Sequence, residues 1–172
     1  GYCKHKGKDY TNVSDDIFEE VFLFREMKTE AIKILLPVQD FDSDVQINMF
    51  QAGLKLGLKK FYGGNPDHID LIEYSEYNPD NNRFDRYLVM YDKIPGGTGY
   101  LEKLFDPKNF TDIMIKAYQA IRDCTCQHTG KDGCYRCIFT YENQFIQSGL
   151  SRTKAESIFK KIVDKSAGWE RW

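Results

Sequence analysis

The hydrophobic positions of this chain change period along its length, and the changes mark out its elements. Val21-Phe22-Leu23-Phe24 is apolar, β-prone and too short for a helix, so it predicts a strand after a polar stretch at 14–20 that reads as a capped turn. Ile32, Ile34 and Leu36 then recur at period two, and Pro37, which has no ladder donor, closes a second strand paired with the first. Asp42 or Ser43 can cap the next segment, a helix with Val45, Met49, Ala52, Gly53 and Leu56 at helical spacing. Lys55, Lys59 and Lys60 cluster toward its end, where positive charge suits the helix dipole. Gly53 and Gly57 inside this helix each weaken it by about 1 kcal/mol relative to Ala. Another backbone is therefore expected to pack close on that face.

Two more strands follow, at 69–74 and 86–91, and the turn-rich residues 78–82 join them as an antiparallel hairpin with a long loop. Pro95-Gly96-Gly97-Thr98-Gly99 leads into a short helix with Tyr100, Leu101, Leu104 and Phe105. Thr111 can cap another, which carries Ile113, Met114, Ala117, Tyr118 and Ile121 on one face. The last helix opens on Thr153 and Glu156, spaced as a capping box, and its stripe of Ala155, Ile158, Phe159, Ile162 and Val163 runs on until Gly168 stops it. Strands first and helices afterwards predict an α+β fold, with an antiparallel sheet of about four strands backed by packed helices. The whole of 1–172 reads as one domain: an opening segment at 1–13, a sheet-bearing half at 14–105 and a helical half at 106–172.

Composition narrows the class. With 172 residues, 41% hydrophobic and 15% aromatic, the chain is the size of a single folded domain, and disorder is excluded. No apolar run approaches the roughly 20 residues that span a bilayer, and no segment has the layout of a signal peptide, so no membrane partner and a cytoplasmic location are expected. The 24 basic and 26 acidic residues leave a formal charge of -2. A pI near 6.0 lacks the basic excess of a dedicated DNA-binding domain. Position 1 is Gly, which leads us to expect a piece of a larger protein.

Four of the five cysteines, Cys124, Cys126, Cys134 and Cys137, form a C-x-C-x7-C-x2-C pattern with Gly130 and Gly133 in the intervening loop. Paired cysteines one or two residues apart let a tight turn place both sulfurs on one ion, and four thiolates in a tetrahedron are a structural zinc set. One zinc ion is favoured. An iron–sulfur cluster is the alternative that spacing alone leaves open. His128 lies in the loop as a substitute ligand that four cysteines make unnecessary. A site closed by sulfur has no open position for water, so this knuckle is expected to staple the fold rather than to catalyse. Loading it with a divalent ion on four thiolates would take the formal charge to about -4. Cys3 and His5 form a two-residue metal fragment without partners, and His68 reads as a surface side chain.

Residues 91–100 run from a strand end through Gly96, Gly97 and Gly99 into a helix start, an arrangement that exposes backbone donors to anions. It has neither the Lys-Ser/Thr pair of a Walker A loop nor a G-x-G-x-x-G fingerprint, and a tight structural turn is the leading reading. No second acid or His is tied to Asp92 by spacing, so it is best read as a turn cap or a salt-bridge partner. Lys154, Lys160 and Lys161 on the last helix could line phosphates, though solvated helix faces commonly look the same.

Taken in order, Tyr91 to Leu101, Cys124-x-Cys126, Gly133-Cys134-x-x-Cys137, Tyr141-x-Asn143 and Leu150-Ser151-Arg152 resemble the MrfA-type zinc-binding domain. That domain is found at the C-terminus of bacterial and archaeal DEAD/DEAH-box helicases and in helicase-linked proteins of phage defence. The resemblance covers about the second half of the chain; Arg25 to Glu30 fits the family's strand-rich lead-in more loosely. It implies zinc on the four cysteines, and a parent that is an ATP-dependent helicase or translocase of a repair or defence pathway. The chain has no Walker A loop, D-E-x-H box or arginine finger, so the motor is expected elsewhere in the same polypeptide. Tyr135 stands where family members often carry Pro.

The reading is thus a non-catalytic zinc module that braces a helicase motor. Gly96, Gly97, Gly99, Lys154, Lys160 and Lys161 are its candidate contacts to single-stranded or duplex DNA. A protein-interaction scaffold without nucleic-acid contact is the rival, and a small hydrolase or nuclease around Asp92 and His128 is a third reading.

Overall fold

The computed structural model describes residues 26–37, 41 and 43–166. The expected strand at 21–24, the opening segment with Cys3 and His5, and the stop at Gly168 lie outside the described residues. So does Asp42, one of the two expected caps.

Among the described residues the sheet has three strands, in the order β1-β3-β2: β1 (Ala31–Leu36), β2 (Ile69–Asn78) and β3 (Arg83–Asp92), all antiparallel. The alternation in β1 does what its period implies. Ile32, Ile34 and Leu36 face the interior, and β3 presents Leu88 and Met90, both fully buried, to the same side. Ile69 and Leu71 of β2 complete that face. On the other face, Lys33 lies 3.9 Å from the centre of the Tyr87 ring and 5.2 Å from that of Tyr74, and it pairs with Glu76. β2 and β3 extend well beyond the predicted 69–74 and 86–91, so the connection is a tight turn rather than a long loop. Their outer ends bury neither face: Tyr77 and Phe84, paired across the strands, stack edge-on at 5.6 Å but stay more than half exposed.

Three helices cover the inner face: α1 (Asp44–Tyr62), α2 (Pro107–Arg122) and α3 (Arg152–Ser166). Ser43 caps α1, its side chain accepting from the Gln46 amide, and Lys59 and Lys60 occupy the last turn as the dipole favours. The two interior glycines mark the close approach they predict. A Cβ at Gly57 would lie 2.6 Å from the carbonyl oxygen of Ile113 on α2, and one at Gly53 would lie 2.2 Å from the Phe159 ring on α3. Ile113, Met114, Ala117 and Ile121 of α2 are fully or almost fully buried, as are Ala155 and Phe159 of α3.

Both predicted caps on these later helices move. α2 begins four residues ahead of Thr111, with the Asp106 side chain accepting from the Lys108 amide and Pro107 in the first turn. α3 begins at Arg152, capped by the Ser151 hydroxyl, which accepts from the Lys154 amide. Thr153 is therefore inside the helix, and Glu156 pairs with Arg152 instead of closing a capping box. No helix among the described residues is long and apolar enough to cross a membrane.

Candidate metal centre

The knuckle is built between the end of α2 and the start of α3. Cys124 follows α2 by two residues, a 3-10 turn at Thr125–Thr129 carries Cys126, and the chain returns to place Cys134 and Cys137 opposite. The four sulfurs all lie within 4.8 Å of one another. Individual separations are 3.5 Å for Cys124 to Cys134, 3.7 Å for Cys134 to Cys137 and 3.8 Å for Cys126 to Cys137. A tetrahedron with Zn–S bonds of 2.3 Å has edges of about 3.8 Å, so the sulfurs stand close to where one zinc ion would hold them. They are far too distant for disulfides. The convergence on one point suits a single ion better than a multi-iron cluster, whose inorganic sulfides would spread the four thiolates around a larger body. His128 is outside the set, exposed beside Gln127.

The local chain is made for thiolates. The Cys134 amide donates to Cys137 Sγ at 3.3 Å and the Arg136 amide to Cys134 Sγ at 3.4 Å, placing positive dipole ends on two sulfurs. Cys124, Cys126 and Cys137 are buried and Cys134 half-buried. Burial pushes the Cys126 thiol up to about 11 and the Cys137 thiol above its ordinary value. Burial opposes ionisation at Cys134 as well, but the Arg136 amide and the neighbouring sulfurs outweigh it and hold that thiol below its ordinary value. Metal binding must then displace protons from the buried thiols.

Around the cysteines lies a shell that the spacing did not reveal. The Asp132 carboxylate accepts from the Thr153 amide at 2.9 Å, the Thr153 hydroxyl at 2.8 Å and the Ser151 hydroxyl, while its backbone carbonyl accepts from the Arg152 amide at 2.7 Å. The metal loop is thereby clamped onto the first turn of α3. Arg152 Nη1 reaches back to the Ile121 carbonyl near the end of α2 at 3.4 Å. Asn143, almost fully buried, donates to the Ile138 carbonyl and accepts from the Thr140 amide, both at 2.8 Å. Of the motif residues singled out from sequence, Ser151 and Arg152 thus tie the metal loop to α3 and α3 to the end of α2, while Asn143 fixes the turn that follows Cys137.

The family model of the MrfA Zn-binding domain matches residues 50–138, just over half the chain. The chain belongs to that family. This MrfA Zn-binding domain is 43% identical over 53 residues to the uncharacterized ATP-dependent helicase YprA of Bacillus subtilis, covering 31% of this chain and 6% of YprA. It is 32% identical over 73 residues to Druantia protein DruE of Escherichia coli (strain UMEA 4076-1), covering 42% of this chain and 4% of DruE. Among solved structures, the DUF1998 helicase MrfA bound to DNA aligns at a TM-score of 0.47 and 22% identity over 75% of this chain and 15% of that one. The MrfA Zn-binding domain therefore spans only a small fraction of the curated relatives it matches. A zinc-binding family and four convergent sulfurs fit one zinc ion per chain.

The other candidates separate from this centre. The glycine turn has no free backbone donor for an anion: the Gly96 amide donates to Lys28 O, Gly97 to Ile94 O, Thr98 to Asp92 Oδ2 and Gly99 to Glu30 Oε2, at 2.9, 2.9, 2.9 and 3.2 Å. At the expected contacts Gly96, Gly97 and Gly99 the chain's own carbonyls and the Glu30 carboxylate engage the amides. Gly97 has φ 79°, and a Cβ there would lie 2.4 Å from the Glu30 carboxyl carbon, so the residue is fixed by conformation and by Glu30 together. Asp92 is fully buried and accepts from the Ile94 and Thr98 amides and the Thr98 hydroxyl, the turn cap anticipated from sequence. His68 is not a surface group: it is half-buried, with its ring 4.7 Å from that of Tyr100. Lys154 and Lys160 are exposed on α3, Lys160 pairs with Asp164 at 2.7 Å, and Lys161 borders an apolar cavity with Ile158 and Ile162.

Proposed function

We propose that this domain is the structural zinc module of an ATP-dependent DNA helicase or translocase, set in the same polypeptide as its motor and acting in DNA repair or phage defence in the cytoplasm. One observation carries the reading. Four sulfurs converge on a single point, and the loop that bears them is clamped to the helices on either side. Zinc bound there would supply a rigid cross-link between the end of α2 and the start of α3. The protein's own groups do the rest: two amides stabilise thiolates, Asp132 fixes the helix start, and Arg152 joins α3 to the end of α2. Membership of the MrfA Zn-binding domain family and the similarity to the ATP-dependent helicase YprA support a helicase parent.

Elemental analysis of the purified chain beside a Cys134→Ala variant tests this. One zinc per chain, lost together with the fold of the knuckle in the variant, is the expected result. Absence of zinc from the folded wild-type chain would remove the reading. The protein-scaffold alternative has its own support in the outer face of the sheet, where Leu35, Ile72 and Tyr74 are about half exposed. Weakening of oligonucleotide binding by Lys160→Glu with Lys161→Glu, with a steep salt dependence, would favour DNA contact along α3 over the scaffold.

A further inference from the structure

Beside the metal centre lies a groove of about 370 Å³, between the later turns of α1, the start of β2 and the chain that follows Cys134. Lys55 spans it, with Nζ 3.2 Å from Asp70 and 3.5 Å from Glu142, and so ties the sheet to the knuckle. Lys59 and Lys93 also line it, and neither forms an ion pair among the described residues. Tyr135 and Tyr141 stand at its rim, 69% and 80% exposed. Aromatic rings of this size ordinarily contribute large buried areas, so two held in solvent at one groove call for an explanation.

The arrangement favours a flat ligand with a modest charge. Three lysines are matched by Asp67, Asp70 and Glu142, so the groove lacks the strong positive field that would track a long phosphate backbone. Its floor offers hydrogen-bond donors and acceptors, and its rim offers ring faces. Tyr135 is already positioned: Gln147 Nε2 donates to its hydroxyl at 2.9 Å, and the Phe139 ring lies edge-on at 5.9 Å. Little side-chain freedom remains to be lost on binding. The volume is at the lower end of small-ligand pockets, which run from about 300 to 1,000 Å³ and so suit one nucleotide rather than a strand.

We propose that this groove holds one unpaired nucleotide of a single-stranded nucleic acid, its base stacked on Tyr135 and Tyr141 and its flanking phosphates paired with Lys59 and Lys93. The inference rests on the helicase reading and moves its nucleic-acid contact from the glycine turn and α3 to the knuckle face. Tyr135 lies between the ligands Cys134 and Cys137, so the metal that orders the knuckle also sets this ring.

The test is fluorescence anisotropy of a labelled oligothymidylate of about a dozen nucleotides with the 172-residue chain. Zinc content and thermal unfolding are read on every sample. Two neutralised phosphates give a slope of log affinity against log salt of about -1.4. Tyr135→Ala with Tyr141→Ala should weaken binding about 5- to 150-fold, the loss of one stacked base, with zinc and melting unchanged. Lys59→Gln with Lys93→Gln should bring the slope toward zero. Unchanged affinity in the tyrosine variant overturns the proposal, and a loss confined to Lys160→Glu with Lys161→Glu would place the contact on α3 and leave the helicase reading intact. Failure of the zinc-loaded wild type to bind also overturns it and assigns the tyrosines to a protein partner. Tyrosine-dependent binding by a chain that carries no zinc would keep the groove and remove the zinc module.

Discussion

At Asp92 a carboxylate with no solvent exposure is kept charged by its own turn. Burial alone would raise its pKa, but the Thr98 hydroxyl and the amides of Ile94 and Thr98, with the His68 imidazole beyond them, hold it below the ordinary carboxylate value of 3.8. A depressed native pKa contributes stability that is fully present above the unfolded value and is lost as pH falls through the folded one. Asp92→Asn is therefore expected to lower stability at neutral pH by about 2–3 kcal/mol, since an amide cannot accept from all three donors. The variant should also lose less on acidification below about pH 4 than the wild type does. Denaturant melts of both proteins across that range check it. Gly53→Ala is the packing counterpart: Phe159 is fully buried and has no room to withdraw, so overpacking should cost about 1–3 kcal/mol and outweigh the gain in helix propensity. Chemical melts with and without Phe159→Leu should show the two changes to be non-additive. At this scale the sequence was informative where one residue type has few uses. Interior glycines meant close approach and paired cysteines meant metal, whereas Glu30, some 69 residues from the glycine whose amide it accepts, left no local trace.

Elements were legible where one face is buried, and their ends were not. The stripes of α2 and α3 follow from sequence, but Thr111 and Thr153, the caps expected there, lie inside helices that Asp106 and Ser151 cap. A cap is decided by which residue leaves helical φ and ψ, and tertiary contacts settle that. For α3 the contact is Asp132, which no periodicity could connect to a helix some 20 residues away. Asp132→Ala should weaken α3 by about 1–2 kcal/mol while leaving all four sulfurs in place. Hydrogen exchange at the first turn of α3 should rise and zinc content should hold. Loss of zinc with faster exchange would mean that the clamp supports the metal loop as much as the helix. The groove was illegible for a similar reason, because its lysines and tyrosines come from α1, the residue after β3 and the knuckle, far apart in sequence.

For the whole molecule, a zinc ion on the four cysteines would add a covalent-strength link to the hydrogen bonds of Asp132 and Arg152 that already join the metal loop, the end of α2 and the start of α3. A ligand present at about 1,000 times its dissociation constant adds about 4 kcal/mol to stability. For a chain of this length that corresponds to a fall of roughly 10 °C or more in melting temperature when a chelator removes it. Calorimetry with and without chelator should show the fall, and restored zinc should reverse it. A melt indifferent to chelation would mean that the core of α1, α2 and the sheet carries the fold without the knuckle.

The segment before β1 has a mechanical consequence. Lys28, Thr29 and Glu30 are fastened alongside residues 92–99 by the Gly96 amide to Lys28 O, the Thr29 hydroxyl to Asp92 O, the Asp92 amide to Glu30 O and the Gly99 amide to the Glu30 carboxylate. These contacts prolong the β1–β3 ladder past its last paired residues. Tension entering along this strand from the amino-terminal side runs at right angles to those hydrogen bonds, so they must shear together rather than peel apart one at a time. Load applied there would be shared by the whole row, with the glycine turn as the rivet.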